Sequence, residues 1–364
     1  MENLVSTVNP EFWQERRVLI SGHTGFKGSW LALWLAGLGA EVHGYALPPP
    51  TTPSLFEVAS IGQRMQSTLG DIRDAARLDA ALQAAQPEII FHLAAQPLVG
   101  EGYRDPVATY ATNVMGTVNM LESARRLPRL RAIVAITTDK CYANPETGRP
   151  FREDDPLGGA DPYSSSKACT ELVCAAYRQS FLAARGIQLA TARAGNVIGG
   201  GDWAAHRLVP DLLRELAADR PACLRNPHAV RPWQHVLEPL AGYLRLAEIL
   251  SQEADGAKFT RAWNFGPEPE DCVTTGQLAD VLTEAWQAAS KTPATWQHLA
   301  SDFPHEAGLL SLDASAAKQA LKWRPKWPLK EAIRHTVDWH RAWLSGEDMQ
   351  AYCLMQIASY TEQK

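Results

Sequence analysis

The sequence has little cysteine and no long apolar run. Its 364 residues include six cysteines, and no two of them have the Cys-x-x-Cys spacing of a zinc or redox site. This excludes a disulfide-dense scaffold and predicts reduced thiols and no metal centre. The longest apolar stretch, residues 30–40, spans 11 residues, whereas a membrane helix needs about 20. The first nine residues lack the basic and apolar segments of a secretion signal. We therefore expect a cytoplasmic protein with no membrane partner.

A surplus of positive charge is also missing. The protein has 35 lysines and arginines against 40 aspartates and glutamates, a formal net charge of −5. Binding to nucleic acid or anionic lipid needs a basic surface, so we expect no nucleic-acid partner. Hydrophobic residues make up 46% and charged residues 21%, as is typical of globular proteins. At about 150 residues per domain, the length corresponds to one enlarged α/β unit or two interleaved lobes.

The sequence does contain a regular alternation of apolar, strand-like segments with helical patterns. The patterns predict strands at 17–21, 41–47, 65–70, 88–93, 132–136 and 189–194, and helices at 75–86, 107–127 and 163–184. Wholly apolar strands that alternate with helices are typical of a parallel sheet covered on both faces. We predict an α/β fold with a Rossmann-type doubly wound parallel sheet, residues 11–196. Residues 197–348 are predicted to form mostly a smaller, interleaved C-terminal substrate lobe, with some segments returning to the first domain.

A glycine-rich turn follows the first predicted strand. Gly22, Gly25 and Gly28 are spaced as Gly-x-x-Gly-x-x-Gly between that strand and a helical pattern. Glycine lets the backbone approach a pyrophosphate, which then rests on the helix N-terminus. An ordinary tight turn is the alternative, but the position after the first strand favours dinucleotide binding. The second strand ends at Tyr45 and three prolines, without the acid that binds ribose hydroxyls, so these residues leave NAD and NADP open.

A tyrosine and a lysine four residues apart begin the last predicted helix. Tyr163 and Lys167 share one helix face, and the positive lysine is expected to lower the pKa of the tyrosine so that it can take a hydroxyl proton. Such a pair is often only a surface feature. Here Tyr163 lies 24 residues after Asp139, which belongs with Lys140 to a polar cluster at the end of the fifth strand. Ligands of open α/β sheets bind beyond the strands' carboxyl ends, so both clusters are predicted to meet at one sugar.

Taken together, these motifs resemble the extended short-chain dehydrogenases/reductases. Within that superfamily, residues 23–30, 195–203 and 231–236 are similar to the CDP-glucose 4,6-dehydratase family, and the resemblance runs from about residue 11 to about 348. It implies a lyase of deoxysugar and lipopolysaccharide O-antigen biosynthesis that uses NAD, acts on CDP-glucose and forms a homodimer. Helices 107–127 and 163–184 are the expected dimer interface.

The resemblance also assigns site residues. The expected cofactor-binding residues are Gly22, Thr24, Gly25, Phe26, Gly28, Asp71, Ile72, Leu93, Ala94, Ala95, Tyr163 and Lys167. The expected substrate-binding residues are Gln96, Asn196, Arg207, Arg231 and His235. The expected catalytic residues are Thr138, Asp139, Lys140, Tyr163 and Lys167.

Each catalytic residue carries an implied role. Tyr163 would take the proton as carbon 4 of the glucose is oxidised, and Thr138 would bond the carbon-4 oxygen. Asp139 would protonate the hydroxyl that leaves carbon 6, and Lys140 would remove the carbon-5 proton. The order is chemically required, because the carbon-5 hydrogen is acidic only after carbon 4 has become a ketone.

Three other functions stay open at this stage. An inverting UDP-N-acetylglucosamine 4,6-dehydratase also carries the Thr-Asp-Lys sequence, but the tryptophan-rich segments favour the CDP-glucose enzymes. A nucleotide-sugar epimerase needs no acid and base at that position. A non-catalytic dinucleotide-binding protein on the same fold has no reason to retain all of Asp139, Lys140, Tyr163 and Lys167.

Overall fold

The computed structural model describes residues 8–252, 256–299 and 308–363. The strands are β1 Arg17–Ser21, β2 Glu41–Ala46, β3 Gln66–Leu69, β4 Ile89–His92, β5 Ala132–Ile136, β6 Gln188–Ala194, β7 Asn196–Ile198, β8 Ala222–Leu224, β9 Val230–His235, β10 Ala262–Phe265, β11 Cys272–Thr274 and β12 Trp296–His298. The helices are α1 Pro10–Trp13, α2 Phe26–Gly37, α3 Leu55–Val58, α4 Ala75–Ala85, α5 Val99–Arg104, α6 Pro106–Tyr110, α7 Gly116–Ala124, α8 Pro162–Tyr177, α9 Leu208–Ala217, α10 Leu237–Gln252, α11 Thr275–Ser290, α12 Leu329–Leu344 and α13 Met349–Glu362.

Seven strands form one parallel sheet in the order β10-β6-β5-β4-β1-β2-β3. Alternate side chains of β1 enter different cores, because Val18 and Ile20 pack with α2 and α10 whereas Leu19 packs with α4, α7 and α8. The strand order reverses between β1 and β4, and ligands of such sheets bind at this switch point. The predicted doubly wound sheet is confirmed.

Part of the sequence after β6 forms two smaller sheets with their own helices, here called the second lobe. There β9 pairs with β7 in parallel and with β11 in antiparallel fashion, and β12 pairs with β8. Helices α9, α11 and α12 cover these strands around a separate apolar core that includes Leu212, Trp286 and Ile333. Other late segments join the large sheet instead: β10 pairs with β6, and α10 and α13 pack in the core that contains α2.

Two predicted helices are divided in the structure. The stretch predicted as 107–127 consists of α6, one turn of π-helix at Ala111–Met115, and α7. The stretch predicted as 163–184 is α8, followed by a π turn at Arg178–Leu182 and a 3₁₀ turn at Ala183–Arg185. The π turns continue the helical path with hydrogen bonds between residues i and i+5, so each predicted helix is one path with a local change of hydrogen-bond pattern.

Candidate active site

One cleft runs along the carboxyl edge of the large sheet and between the two lobes. Its volume is about 1060 Å³. Every expected cofactor-binding and catalytic residue lines it: Gly22, Thr24, Gly25, Phe26, Gly28, Asp71, Ile72, Leu93, Ala94, Ala95, Thr138, Asp139, Lys140, Tyr163 and Lys167. Asn196, Arg207 and Arg231 line the same cleft from the second lobe. The two groups of residues therefore face each other across one space.

The glycine-rich turn leaves no room for side chains. A Cβ atom on Gly28 would lie 2.2 Å from the Gly22 carbonyl oxygen, and one on Gly22 would lie 2.8 Å from the Ala94 amide nitrogen. Gly22 also has a φ of +80°, which other residues rarely adopt. Gly25 caps α2 without a side-chain hydrogen bond, so the first amides of that helix face the cleft. This cradle of bare backbone fits a dinucleotide pyrophosphate.

Beside this turn, Asp71 is held by its neighbour Arg73. The guanidinium bonds both carboxylate oxygens, at 2.6 to 3.0 Å, and these bonds lower the pKa of Asp71. The Tyr45 hydroxyl donates to the Asp71 carbonyl oxygen at 3.0 Å. Thus the end of β2 fixes the loop that contains Asp71 and Ile72 through a phenol rather than through an acidic side chain.

The turn after β5 places an acid beside a lysine. The Asp139 side chain is only 1% exposed, and its Oδ1 accepts a hydrogen bond from the Thr138 hydroxyl at 3.0 Å. Lys140 Nζ lies 3.7 Å from the same oxygen. The other oxygen, Oδ2, is buried and has no hydrogen-bond partner among the residues described. A carboxyl group and a lysine amine therefore lie side by side, and within the described part of the chain one carboxyl oxygen is left without a partner.

Helix α8 brings Tyr163 and Lys167 to this turn. Pro162 has the first helical position, and the side chain of Asp161 caps the helix by accepting a hydrogen bond from the Ser164 amide. Lys167 Nζ donates to the Ile136 carbonyl oxygen at 3.0 Å, and burial lowers the pKa of Lys167 to about 8.

The expected lowering of the Tyr163 pKa is not found. Burial raises it to about 12, and the opposing influences come from the Thr138 hydroxyl and the Arg207 charge rather than from Lys167. The Lys167 ammonium is committed to the backbone of β5 instead of to the phenol.

A buried ion pair anchors α8, and sequence reasoning missed it. Arg193 of β6 bonds Glu171 of α8 at 2.9 and 3.0 Å, and both side chains are 4% exposed. The Glu171 carboxylate also accepts from the Thr137 hydroxyl at 2.5 Å and from the Thr191 hydroxyl at 2.7 Å. These bonds fix α8 against β5 and β6. The available signal was the spacing, since Glu171 lies four residues after Lys167 on the same helix face.

The second lobe contributes cations and an amide. Arg207 at the start of α9 bonds Asp202 at 3.0 Å, and Arg231 on β9 is 5% exposed with its Nη1 donating to the Val230 carbonyl oxygen at 2.9 Å. The Asn196 side-chain oxygen is buried and has no hydrogen-bond partner within the described residues. Its position at the cleft makes it available to a ligand donor.

Two expected substrate-binding residues lie elsewhere. His235 is fully buried, with its ring 4.8 Å from that of Trp327 and 6.2 Å from that of Trp30, and it does not line the cleft. The Gln96 side chain does not line the cleft either, because its amide donates to the Thr109 hydroxyl and its oxygen accepts from the Leu98 amide. Both residues are close to the cleft in sequence, but their side chains support the surrounding structure.

Comparisons with known proteins agree with this geometry. The family model described as GDP-mannose 4,6 dehydratase matches residues 19–336. The protein is 49% identical to the CDP-glucose 4,6-dehydratase of Salmonella typhimurium over 97% of its own length and 98% of that enzyme. Among solved structures, the fold is similar to a Thermotoga maritima UDP-glucose 4-epimerase with UDP-glucose (TM-score 0.76, 21% identity, 90% and 99% of the two proteins covered). It is also similar to a Bacillus anthracis dTDP-glucose 4,6-dehydratase in complex with NAD (TM-score 0.73, 20% identity, 93% and 99% covered).

Proposed function

Because this chain belongs to the GDP-mannose 4,6-dehydratase family, within the extended short-chain dehydrogenases/reductases, we propose that it is an NAD-dependent CDP-glucose 4,6-dehydratase. It converts CDP-glucose to CDP-4-dehydro-6-deoxyglucose and water. The observation that carries this proposal is the near-full-length similarity to the Salmonella enzyme. The joint presence of Asp139, Lys140, Tyr163 and Lys167 at one cleft supports it, since an epimerase has no use for the first two.

The glycine-rich turn and the residues beside it would hold NAD. The Gly22–Gly28 backbone would hold the pyrophosphate, Asp71 and Ile72 would flank the adenine, and Lys167 would hold the nicotinamide ribose. The chemistry that NAD supplies when bound is the uptake of a hydride from sugar carbon 4 and its return at carbon 6. The protein's own groups supply every proton transfer.

Oxidation at carbon 4 needs a base for the hydroxyl proton. Tyr163 has this role, and Thr138 holds the same sugar oxygen. The two hydroxyl groups are close enough for a hydrogen bond, which lowers the pKa of Tyr163, so both can reach one substrate oxygen. Burial of the phenol raises its pKa to about 12, which makes the phenolate a strong base once it forms. The ketone then acidifies the hydrogen on carbon 5.

Elimination of water needs an acid and a base on adjacent carbons. Lys140 removes the carbon-5 proton, and Asp139 protonates the carbon-6 hydroxyl as it leaves. The distance of 3.7 Å between Lys140 Nζ and Asp139 Oδ1 suits two groups that act on neighbouring carbons. Oδ2 of Asp139, which has no hydrogen-bond partner in the part of the chain that the structure describes, is the oxygen that can carry the donated proton to the substrate.

The substrate diphosphate is assigned to the second lobe. Arg207, Arg231 and Asn196 line that part of the cleft, and guanidinium groups bind phosphates strongly. His235 and Gln96 are not among these contacts, for the reasons given above.

We further propose a homodimer through the faces of α5, α6 and α8 and the π turns that follow α6 and α8. These neighbouring segments expose large apolar side chains: Tyr103, Val107, Tyr110, Met115, Leu172 and Phe181. An exposed apolar patch of this kind is typical of a protein interface. No helix among the described residues is long and apolar enough to span a bilayer.

The direct test is an incubation of the protein and NAD with the glucose esters of CDP, UDP, dTDP and GDP, and with UDP-N-acetylglucosamine. Mass spectrometry should show loss of one water from CDP-glucose, with a far higher kcat/KM than for the other substrates. Comparable turnover of UDP-N-acetylglucosamine would overturn the assignment in favour of the inverting dehydratase.

A further inference from the structure

A lysine inside the glycine-rich turn reaches the catalytic part of the cleft. Lys27 is the second residue of α2 and lies between two glycines of the motif. Its side chain lines the cleft and is partly buried in its wall. Within the described residues, its ammonium group has no hydrogen-bond or ion-pair partner. A backbone cradle for a pyrophosphate does not by itself require a cation at this position.

The charges around Lys27 are mostly positive. Its strongest electrostatic interaction with a charged side chain is with Arg207 at the start of α9. Asp139 in the turn after β5 comes next, followed by Lys167 of α8 and Lys140 of the same turn. Two carboxylates thus face four cations, counting Lys27 itself, since Asp202 bonds Arg207 at 3.0 Å and Asp139 has Lys140 within 3.7 Å. Burial and these cations lower the pKa of Lys27 to about 7. A group of like charges without enough counter-charge is stabilised when an anion binds among them.

We propose that Lys27 binds the diphosphate of the nucleotide-sugar substrate together with Arg207. The inference rests on the proposed function for the identity of the sugar nucleotide. The substrate diphosphate is favoured over the cofactor pyrophosphate because Arg207, the charged group that interacts most strongly with Lys27, belongs to the second lobe. That lobe is the one assigned to the substrate. Lys27 then joins the two lobes across the bound substrate and fixes the sugar next to Asp139 and Lys140.

This role has a consequence for protons. In the free enzyme at pH 8, Lys27 is mostly neutral because its pKa is about 7. A diphosphate beside it favours the charged form, so substrate binding takes up a proton. By linkage, the affinity for CDP-glucose then falls as the pH rises above 7. A lysine that only packs against the helix shows neither effect.

The test is calorimetric titration of CDP-glucose into the NAD-loaded Tyr163→Phe enzyme, which keeps the substrate intact, at pH 8 in two buffers of different protonation enthalpy. We expect uptake of close to one proton more than in the same enzyme carrying Lys27→Met. The Kd at pH 6.5 should rise about tenfold in the methionine variant, as for loss of one charged hydrogen bond. Lys27→Arg should keep the affinity and take up no extra proton, since guanidinium is always charged.

The controls separate the alternatives. Lys330→Met, at an exposed position of α12, should behave as the parent, and Lys167 is unchanged throughout, so its titration cancels. Equal proton uptake with and without Lys27 would overturn the proposal, as would uptake on NAD binding instead of CDP-glucose binding. If Lys27→Met does not fold, the arginine variant decides alone, because its affinity must fall less than that of the parent enzyme as the pH rises above 7. Failure of the wild type to dehydrate CDP-glucose refutes the proposed function, and is seen separately in the product assay.

Discussion

Lys140 Nζ lies 3.7 Å from one carboxyl oxygen of Asp139, yet in the proposed reaction Lys140 removes a proton and Asp139 donates one. We expect Lys140→Ala to block proton removal at carbon 5 while leaving carbon-4 oxidation possible, because that step needs only Tyr163 as base. The variant mixed with CDP-glucose in deuterated water should incorporate no deuterium at carbon 5 and release almost no 6-deoxy product. Some NADH absorbance should accumulate. Exchange at the wild-type rate would show that another residue is the base.

The phenol of Tyr163 is the second residue whose loss is diagnostic. Tyr163→Phe should lower kcat by at least about 10²-fold, the usual contribution of a general base, while the Kd for CDP-glucose changes little because the phosphates are held by other residues. Tyr177→Phe is the matched control, since Tyr177 is on the same helix and its hydroxyl donates to Glu122 at 3.4 Å, away from the cleft. Steady-state kinetics and calorimetry on both variants measure the contrast, and near-normal activity of Tyr163→Phe would remove Tyr163 from the mechanism.

At the residue scale, sequence patterns located the cleft well because its residues occur in short motifs at strand ends. The glycine-rich turn, the residues 138–140 and the Tyr163–Lys167 pair all line it. The same motifs could not tell which way a side chain points. Gln96 is adjacent to lining residues and His235 lies two residues after the lining residue Trp233, but both side chains turn into the structure. Lys27 was overlooked for the opposite reason, since glycine spacing draws attention to backbone rather than to the side chains in between.

At the element scale, one buried carboxylate attaches the last helix. Glu238 in α10 accepts hydrogen bonds from the Trp327 amide at 2.8 Å and from the Tyr360 hydroxyl of α13 at 2.7 Å. Helix α13 in turn packs beside α2, where Trp34 and Tyr360 meet edge to face at 5.8 Å. The helix that presents the glycine-rich turn is therefore supported by the C-terminal helix.

This carboxylate makes stability depend on pH. Burial raises the pKa of Glu238 to about 7 from an ordinary value of 4.5, so between these values the folded state binds more protons than the unfolded chain. Its contribution is present below pH 4.5 and is lost as the pH rises through about 7. Relative to Glu238→Gln, the wild type should lose up to about 3 kcal/mol of unfolding free energy between pH 5 and pH 8. Urea denaturation measures this, with exposed Glu284→Gln as control, and parallel curves for all three proteins would contradict it.

Helices and strands could be predicted where the periodic pattern of apolar residues is unbroken. They were harder to predict where pairing with a distant segment determines the structure. The strands β1 to β6 agree with their predicted ranges to within one residue at either end. The short β10 was not predicted as a strand, because four residues inside a Trp- and Phe-containing segment have no distinctive pattern. Its place in the sheet follows from pairing with β6, a contact between distant parts of the sequence that local periodicity does not encode.

At the scale of the whole molecule, the exposed apolar face of α5, α6 and α8 should hold two copies together. Leu172 is 59% exposed at this face. We expect Leu172→Glu to place two like charges in the interface of a dimer and to yield monomers, seen as a halved mass in size-exclusion chromatography with light scattering. Leu344→Glu, at a 45% exposed position of α12, should stay dimeric. A wild-type protein that is already monomeric would refute the proposed interface.

Strand β10 pairs with β6 but lies far after it in the sequence, and this affects both translation and the behaviour of truncated fragments. During translation, β6 emerges long before residues 262–265, and until then its outer edge has backbone amides and carbonyls without partners. An open edge of an apolar sheet invites pairing with other polypeptides. A fragment that stops at residue 196 keeps the whole glycine-rich turn and yet retains this open edge permanently. The dinucleotide-binding half is thus expected to aggregate when expressed alone, and nascent polypeptides are expected to need protection until the second lobe has been made.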